Sequence, residues 1–185
     1  MNILVILLGC HISLLLNDRV LIAVKQMFDL SIKHNKPIAV NWYLSGGIKN
    51  PLESTISEAE KMQTQISSIL NEMYNCSQPI IFNGANNCLI ESKFILDKVA
   101  TNTAENFIIA NSHITTNKNK YSDIYVVTSN WHHKRAKYIS DLSVPNNNFE
   151  WILSEKHYGN FAQMEHIHMR NVKSDVNNAL KKLNN

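Results

Sequence analysis

The stretch Thr128-Ser129-Asn130-Trp131-His132-His133-Lys134-Arg135-Ala136 sets an imidazole and a guanidinium three residues apart, where an apolar run gives way to a helical pattern. Residues at i and i+3 share a helix face, so His132 and Arg135 point the same way. A helix start also offers unpaired backbone N–H groups and the positive end of the helix dipole. Together these suit a phosphate or a carboxylate, with Thr128 and Ser129 as further contacts. The plain alternative is an exposed basic face with Trp131 in the core. We take the binding role as the expectation, because position and chemistry agree.

Two acidic clusters have a similar form. Ser57-Glu58-Ala59-Glu60 opens a helix, and either Thr55 with Glu58 or Ser57 with Glu60 can form a capping box. A good cap contributes about 1 kcal/mol. Capping explains one glutamate and leaves Glu58 available as an acid, base or hydrogen-bond acceptor. In Asn102-Thr103-Ala104-Glu105-Asn106, Asn102 can cap and Glu105 can complete the box. Asn106 is then either a ligand contact or a tether to a neighbouring loop. Ser45-Gly46-Gly47 permits close backbone approach, to a ligand or merely within a turn.

Other chemistry is less favoured. Cys10 follows the first apolar run, and with no thiolate-stabilising neighbour it reads as a structural thiol. His166, His168 and the His132-His133 pair lack metal-ligand spacing, so no metal is expected. There is no G-x-S-x-G elbow, Walker A loop or G-x-G-x-x-G turn, which argues against serine hydrolases of that type, P-loop enzymes and ordinary dinucleotide enzymes.

The elements that must position these residues follow from periodicity. Ile3 to Leu8 is a continuous apolar run, as in a fully buried parallel strand. Asn17 and Asp18 are expected to start a helix through Val20, Val24, Met27 and Phe28, ending before Pro37. Ile38 to Leu44 reads as a strand. A long helix after Ser57 carries the stripe Met62, Ile66, Ile69, Leu70 and Met73. Either Ile80 to Phe82 or Phe94 to Leu96 supplies the third strand. Ile124 to Thr128 and Phe149 to Leu153 read as strands, and Asn130 to Asp141 and Phe161 to Leu183 as helices. In the last helix His168, Asn171 and Asp175 fall within about 60° of arc and are expected to anchor it to the site loops.

Composition agrees. The chain has 185 residues, 44% apolar and 18% charged, which is globular and of a length for one domain over 1–185. Eighteen basic against fifteen acidic residues leaves only +3, so no nucleic-acid partner is expected. Three cysteines without a C-x-x-C pair fit a reducing compartment. The first apolar run is shorter than the ~20 residues of a membrane span and no Lys or Arg precedes it. Neither signal peptide nor membrane segment is expected, and the expected location is cytoplasmic.

Alternating strands and helices make this an α/β chain. The expectation is a three-layer Rossmann-like sandwich with a mainly parallel central sheet of about five strands. Ligands of such sheets bind beyond the carboxyl ends of the strands. The polar clusters at Gly9, Ser45, Asp97 to Asn106 and Thr128 to Arg135 should then share one edge.

Taken in order, the chain resembles the YdcF/SanA/ElyC-like family. The resemblance is carried by Arg19, Ser45-Gly46-Gly47, Ser57-Glu58-Ala59 with Met62, Thr101-Asn102-Thr103 with Glu105-Asn106, and Thr128-Ser129 with Trp131-His132 and Arg135-Ala136. It covers roughly Ile3 to Asp141. Gly9-Cys10-His11 stands where relatives are richer in glycine, and Ile80 to Ser92 looks rearranged. The resemblance implies a Rossmann-like sheet with these motifs around one crevice. It also implies S-adenosylmethionine as a possible ligand, because one branch binds it, and no fixed reaction.

The functional expectation is a small anionic or nucleotide-like ligand. Gly9, Arg19, Ser45, Gly46, Gly47, Asn102, Thr103, Asn106, Thr128, Ser129 and Arg135 would hold it. If the protein is an enzyme, His132 with Glu58 or Glu105 is the acid/base pair of a transferase or hydrolase acting on a phosphate- or sugar-containing substrate. A non-catalytic interaction protein is the remaining alternative.

Overall fold

The computed structural model describes residues 1–48, 51–52, 54–75, 90–117, 119–145, 148–156 and 159–183. Its elements alternate: β1 (Asn2–Leu8), α1 (Ser13–His34), β2 (Ile38–Ser45), α2 (Glu58–Asn75), β3 (Ile90–Asp97), α3 (Thr103–Thr116), β4 (Asp123–Ser129), α4 (Asn130–Ser143), β5 (Glu150–Ser154) and α5 (Phe161–Leu183). The five strands form one parallel sheet in the order β3-β2-β1-β4-β5. This is the Rossmann-like sandwich expected from the alternation.

β1 shows why. Its apolar run has no polar face, so it must be covered on both sides. Ile3, Val5 and Leu7 pack with Leu16, Val20, Val24 and Met27 of α1 and Met62 and Ile66 of α2. Leu4, Ile6 and Leu8 pack on the opposite face with Ala104 and Phe107 of α3 and Ala136 and Ile139 of α4. All six β1 residues are essentially inaccessible, and each such aliphatic burial contributes roughly 1.5–3 kcal/mol. Val5 lies between Trp42 of β2 and Tyr125 of β4.

The strand order reverses direction across β1 and β4. The chain winds outward through β2 and β3, then returns to the far side of β1 for β4 and β5. That reversal opens a crevice at the carboxyl ends of β1 and β4. The third strand includes Phe94 to Leu96, whereas Ile80 to Phe82 lies outside the described residues. β3 is an edge strand, and it exposes Glu91, Ser92 and Lys93, which blunt the edge.

The first helix begins earlier than expected. α1 starts at Ser13, and the Ile12 carbonyl accepts from Leu15 and Leu16 N–H at 3.0 Å each. Buried Leu15 and Leu16 extend the apolar stripe by one turn, which outweighs the capping preference of Asn17 and Asp18. Asp18 instead accepts a hydrogen bond from Ser154 at the end of β5 and pairs with Lys156 at 3.6 Å. α1 closes at Asn35 (φ 48°), just before Pro37.

α5 has a narrow buried seam. Glu165, Val172, Val176 and Ala179 are buried, while most of its other described side chains are exposed. The seam packs against α3 and α4, leaving an adjoining strip of α5 beside the strand ends.

Candidate functional site

The strand exits are joined by backbone bonds. Gly9 N–H donates to the Ser45 carbonyl at 2.8 Å, Gly46 to Asp97 at 3.0 Å and Gly47 to Ala100 at 2.7 Å. The α2 N-terminus is fastened to the same loop, with Glu58 N–H to Gly47 O at 3.2 Å and Ala59 N–H to Gly46 O at 3.0 Å. The glycines make room for protein. A Cβ on Gly46 would stand 2.7 Å from Glu58 Oε2, and one on Gly47 would stand 2.8 Å from the Lys98 carbonyl. A Cβ on Gly9 would collide with the Glu58 carboxylate. The bare backbones let Glu58 lie across the ends of β1 and β2.

Of the two capping boxes available to α2, Ser57 with Glu60 forms. Glu60 N–H donates to Ser57 Oγ at 3.2 Å, and Glu60 Oε2 accepts from Ser57 N–H at 3.0 Å and Ser57 Oγ at 2.7 Å. Glu58 has no part in that cap and borders the crevice.

On α3, Asn102 Oδ1 accepts from Glu105 N–H at 3.0 Å. Glu105 reaches back one residue further than a box requires, to Thr101 N–H at 2.8 Å and Thr101 Oγ1 at 3.0 Å. Its other oxygen holds Lys182 Nζ of α5 at 2.8 Å. Glu105 is 3% exposed. Burial raises its pKa, but Lys182 and the Thr101 donors outweigh that and hold the carboxyl below its ordinary value. Glu105 is a charged clasp between α3 and α5.

Asn106 is a tether that also borders the crevice. Ser45 Oγ lies 2.6 Å from Asp97 Oδ2 and 3.0 Å from the Asn106 amide oxygen. One hydroxyl proton cannot serve both. The carboxylate takes it, and turning the Asn106 amide places its NH2 toward Ser45 Oγ. Asp97 Oδ1 accepts from Val99 and Ala100 N–H at 3.0 and 3.2 Å, fixing the loop into α3.

Arg19 joins these parts to α4. It is 2% exposed. Its Nε donates to Ser129 Oγ at 3.0 Å and its Nη1 to the Leu8 and Gly9 carbonyls at 2.9 Å each. Nη2 makes no hydrogen bond among the described residues, and the guanidinium borders the crevice. Desolvation lowers the Arg19 pKa, with Cys10, Glu58 and Glu165 acting in opposition. Ser129 Oγ accepts from Arg19 and makes no side-chain cap on α4, whose first turn has no acidic residue.

His132 and Arg135 meet a partner that sequence reasoning missed. Arg135 Nε and Nη2 grip Glu165 of α5 at 2.7 and 2.9 Å. His132 Nδ1 lies 3.2 Å from Glu165 Oε1 and 3.1 Å from Arg135 Nη2. Its Nε2 lies 3.2 Å from Thr103 Oγ1. Burial pushes the imidazole down to about 4; Arg135 and Arg19 act the same way, against Glu165. His132 is therefore neutral near pH 7. Burial opposes ionisation of Glu165, but His132 and Arg135 prevail and hold it at about 2.

The crevice holds about 550 Å³, within the usual range for small-molecule sites. Gly9, Arg19, Gly46, Gly47, Glu58, Asn102, Thr103, Glu105, Asn106, His132 and Arg135 line it. Ser45, Thr128 and Ser129 are fully buried behind this wall. Thr128 Oγ1 has no hydrogen-bond partner among the described residues. α5 supplies Phe161, Met164, Glu165, His168, Asp175 and Lys182. Phe161 stacks on Trp131 with ring centroids 5.7 Å apart.

The helix is anchored by Glu165 and Lys182 at its two ends; Asn171 is exposed and outside the lining. Glu165 had a readable signal: it extends the apolar register Met169, Val172, Val176 and Ala179 by one turn, so a carboxylate occupies a core position. Among the described residues, no three His, Cys, Asp or Glu side chains converge on a metal-sized position, and no helix is long and apolar enough to cross a membrane. No protein-family model, no curated protein and no solved structure matches the chain.

Proposed function

We propose that this chain is a YdcF/SanA/ElyC-like protein that binds a small molecule through one anionic group, in the crevice at the carboxyl ends of the strands. The observation that carries the reading is Arg19. Arg19 is 2% exposed and borders the crevice; its Nε and Nη1 are bonded, while Nη2 has no hydrogen bond among the described residues, and the α4 N-terminus has no side-chain cap. A carboxylate or phosphate oxygen would satisfy both Nη2 and the first-turn amides.

The lining also limits what else the ligand carries. Cationic Arg19, Arg135 and Lys182 stand with carboxylates Glu58, Glu105, Glu165 and Asp175. Arg135 and Lys182 are already paired. Such a wall suits one anionic group attached to hydroxyls or a cationic centre. S-adenosylmethionine, with one carboxylate, an ammonium and a sulfonium, has that character, as do nucleotide-like molecules with few charges.

The test is native mass spectrometry of freshly purified protein, then titration of S-adenosylmethionine, nucleotide sugars and simple carboxylates, followed by tryptophan fluorescence with Trp131→Phe as the control that isolates the crevice residue. A bound ligand should change the emission and raise the melting temperature; a hundredfold excess over Kd adds about 2.7 kcal/mol. Arg19→Lys should weaken binding at least tenfold. No response to any of these compounds, with a protein partner on the crevice face instead, would overturn the reading in favour of an interaction protein.

A further inference from the structure

The side chains of Thr103, His132 and Glu165 form a chain that ligand binding does not require. Thr103 Oγ1 faces His132 Nε2 at 3.2 Å, and His132 Nδ1 faces Glu165 Oε1 at 3.2 Å. All three line the crevice, Thr103 half-buried and His132 and Glu165 buried. Hydroxyl, imidazole and carboxylate in this order are nucleophile, general base and orienting acid. The three residues come from three elements, α3, α4 and α5, so no local folding preference accounts for their meeting.

The hydrogen bonds set the direction of proton flow. Nδ1 has two neighbours, Glu165 Oε1 at 3.2 Å and Arg135 Nη2 at 3.1 Å; because Nη2 already donates to Oε1 at 2.9 Å, we assign the carboxylate as the partner of Nδ1 and place the ring proton there. Nε2 is then the acceptor, and the Thr103 hydroxyl donates to it. Burial lowers its pKa, with Arg135 and Arg19 acting the same way, so the ring is neutral near pH 7, and Glu165 is the neighbour that favours the imidazolium formed when Nε2 takes a proton.

The surroundings supply the remaining parts. Thr103 is the first residue of α3. The cap takes only the Glu105 N–H, and the N–H groups of Thr103 and Ala104 make no hydrogen bond among the described residues. Two open amides beside a hydroxyl are positioned as an oxyanion hole. Arg19 Nη2 is the independent sign of a ligand in the same crevice.

We infer that Thr103 is the nucleophile of an acyl-transfer site, with His132 as its base and Glu165 positioning the imidazole, acting on a carboxylic ester that carries an anionic group. As Oγ1 bonds to the carbonyl carbon, its proton passes to Nε2, and the oxyanion rests on the Thr103 and Ala104 amides. The C–O bond to the leaving alcohol breaks, and that oxygen takes the proton from Nε2. Water then gives a proton to Nε2 and bonds to the acyl carbon. The Oγ1–carbon bond breaks and Oγ1 recovers its proton. The balance is ester plus water to acid plus alcohol. Only the placement of the anionic group at Arg19 rests on the binding reading above.

The test treats the protein with a fluorophosphonate and with mono-4-nitrophenyl succinate, a carboxylate-bearing ester, and reads intact mass, peptide mass and nitrophenolate release. The expected result is one adduct on Thr103, absent in Thr103→Ala and kept in Thr103→Ser, with nitrophenolate release down at least a hundredfold in Thr103→Ala and His132→Gln. Glu165→Gln should lower kcat far more than KM and shift the pH profile, with Glu165→Asp restoring part of both. No adduct, or an adduct on Cys10 or His11 instead, overturns the inference, because Thr103→Ser preserves the fold and the hydroxyl. Ligand titration of Thr103→Ala separates the two readings. An adduct on Thr103 in the wild type without anion binding breaks the binding reading, and anion binding without an adduct breaks this one.

Discussion

Buried His132 makes stability depend on acid in a calculable way. The folded ring titrates at about 4, whereas an unfolded histidine titrates near about 6.5. Near pH 7.5 both states are neutral, and the group contributes no pH dependence. As pH falls through about 6.5 the unfolded chain takes up the proton first, so folding stability decreases. The loss grows at about 1.4 kcal/mol per pH unit and is complete below about 4, reaching about 3 kcal/mol. Glu165 has a depressed pKa, at about 2, so its contribution is present above the ordinary carboxylate range and is lost only as pH falls below about 4.5. The windows of the two groups are largely separate. His132→Asn removes the titration while its amide can still donate to Glu165. Urea unfolding of both proteins at half-unit steps from pH 7.5 to 4 isolates the term. Wild type should lose about 3 kcal/mol more than the variant across that range. Parallel curves would refute a neutral, buried His132, and with it the assigned base of the acyl-transfer site.

Three other outcomes follow from the clasps and the glycine cradle. Glu165→Ala leaves the Arg135 fork without its carboxylate partner and should lower the unfolding free energy by about 3 kcal/mol at pH 7, measured by urea denaturation. Lys182→Ala strands the buried Glu105 carboxylate; hydrogen exchange should accelerate at least tenfold across 176–183, while β1 amides keep their protection. Gly46→Ala drives a Cβ to 2.8 Å from Glu58 Cβ and should cost about 1–3 kcal/mol in the same denaturation assay.

Most of the fold was readable because its signals are local. An unbroken apolar run such as Ile3 to Leu8 has no solution but a strand covered on both faces, and the alternation of elements then implies a parallel sheet. The helix caps at Ser57 and Asn102 were readable for the same reason. The start of α1 was not, because Leu15 and Leu16 gain more by burial than Asn17 and Asp18 gain by capping. Among site residues, strand-exit position placed Glu58, Asn106, His132 and Arg135 at one edge. It could not distinguish residues on the wall from those behind it. Ser45 and Ser129 look like ligand contacts in sequence, but their hydroxyls hold Asp97 and Arg19. Glu165 and Lys182 act across 30 to 77 residues of chain and leave almost no local mark beyond a charge in an apolar register.

The pairing of charges around the crevice bears on the kind of ligand it accepts. Each of Arg135 and Lys182 is committed to a glutamate, and undoing either leaves a buried or half-buried carboxylate without its cation. Arg19 is different: its bonds go to a hydroxyl and two carbonyls, none of which cancels its charge. Among the described residues Arg19 is thus the crevice cation without a direct carboxylate hydrogen bond, with Glu58 and Glu165 acting on its charge from further away. A triphosphate would press its remaining charges against Asp175 and the paired Glu105 and Glu165, while a single carboxylate would not. Affinity should then fall from a monoanion to the corresponding polyanion, the reverse of the order in a basic nucleotide pocket. Isothermal titration of an S-adenosyl amino acid, a nucleoside monophosphate and the matching triphosphate reads that order directly. Tightest binding of the triphosphate would mean that Arg135 or Lys182 leaves its glutamate when the site fills.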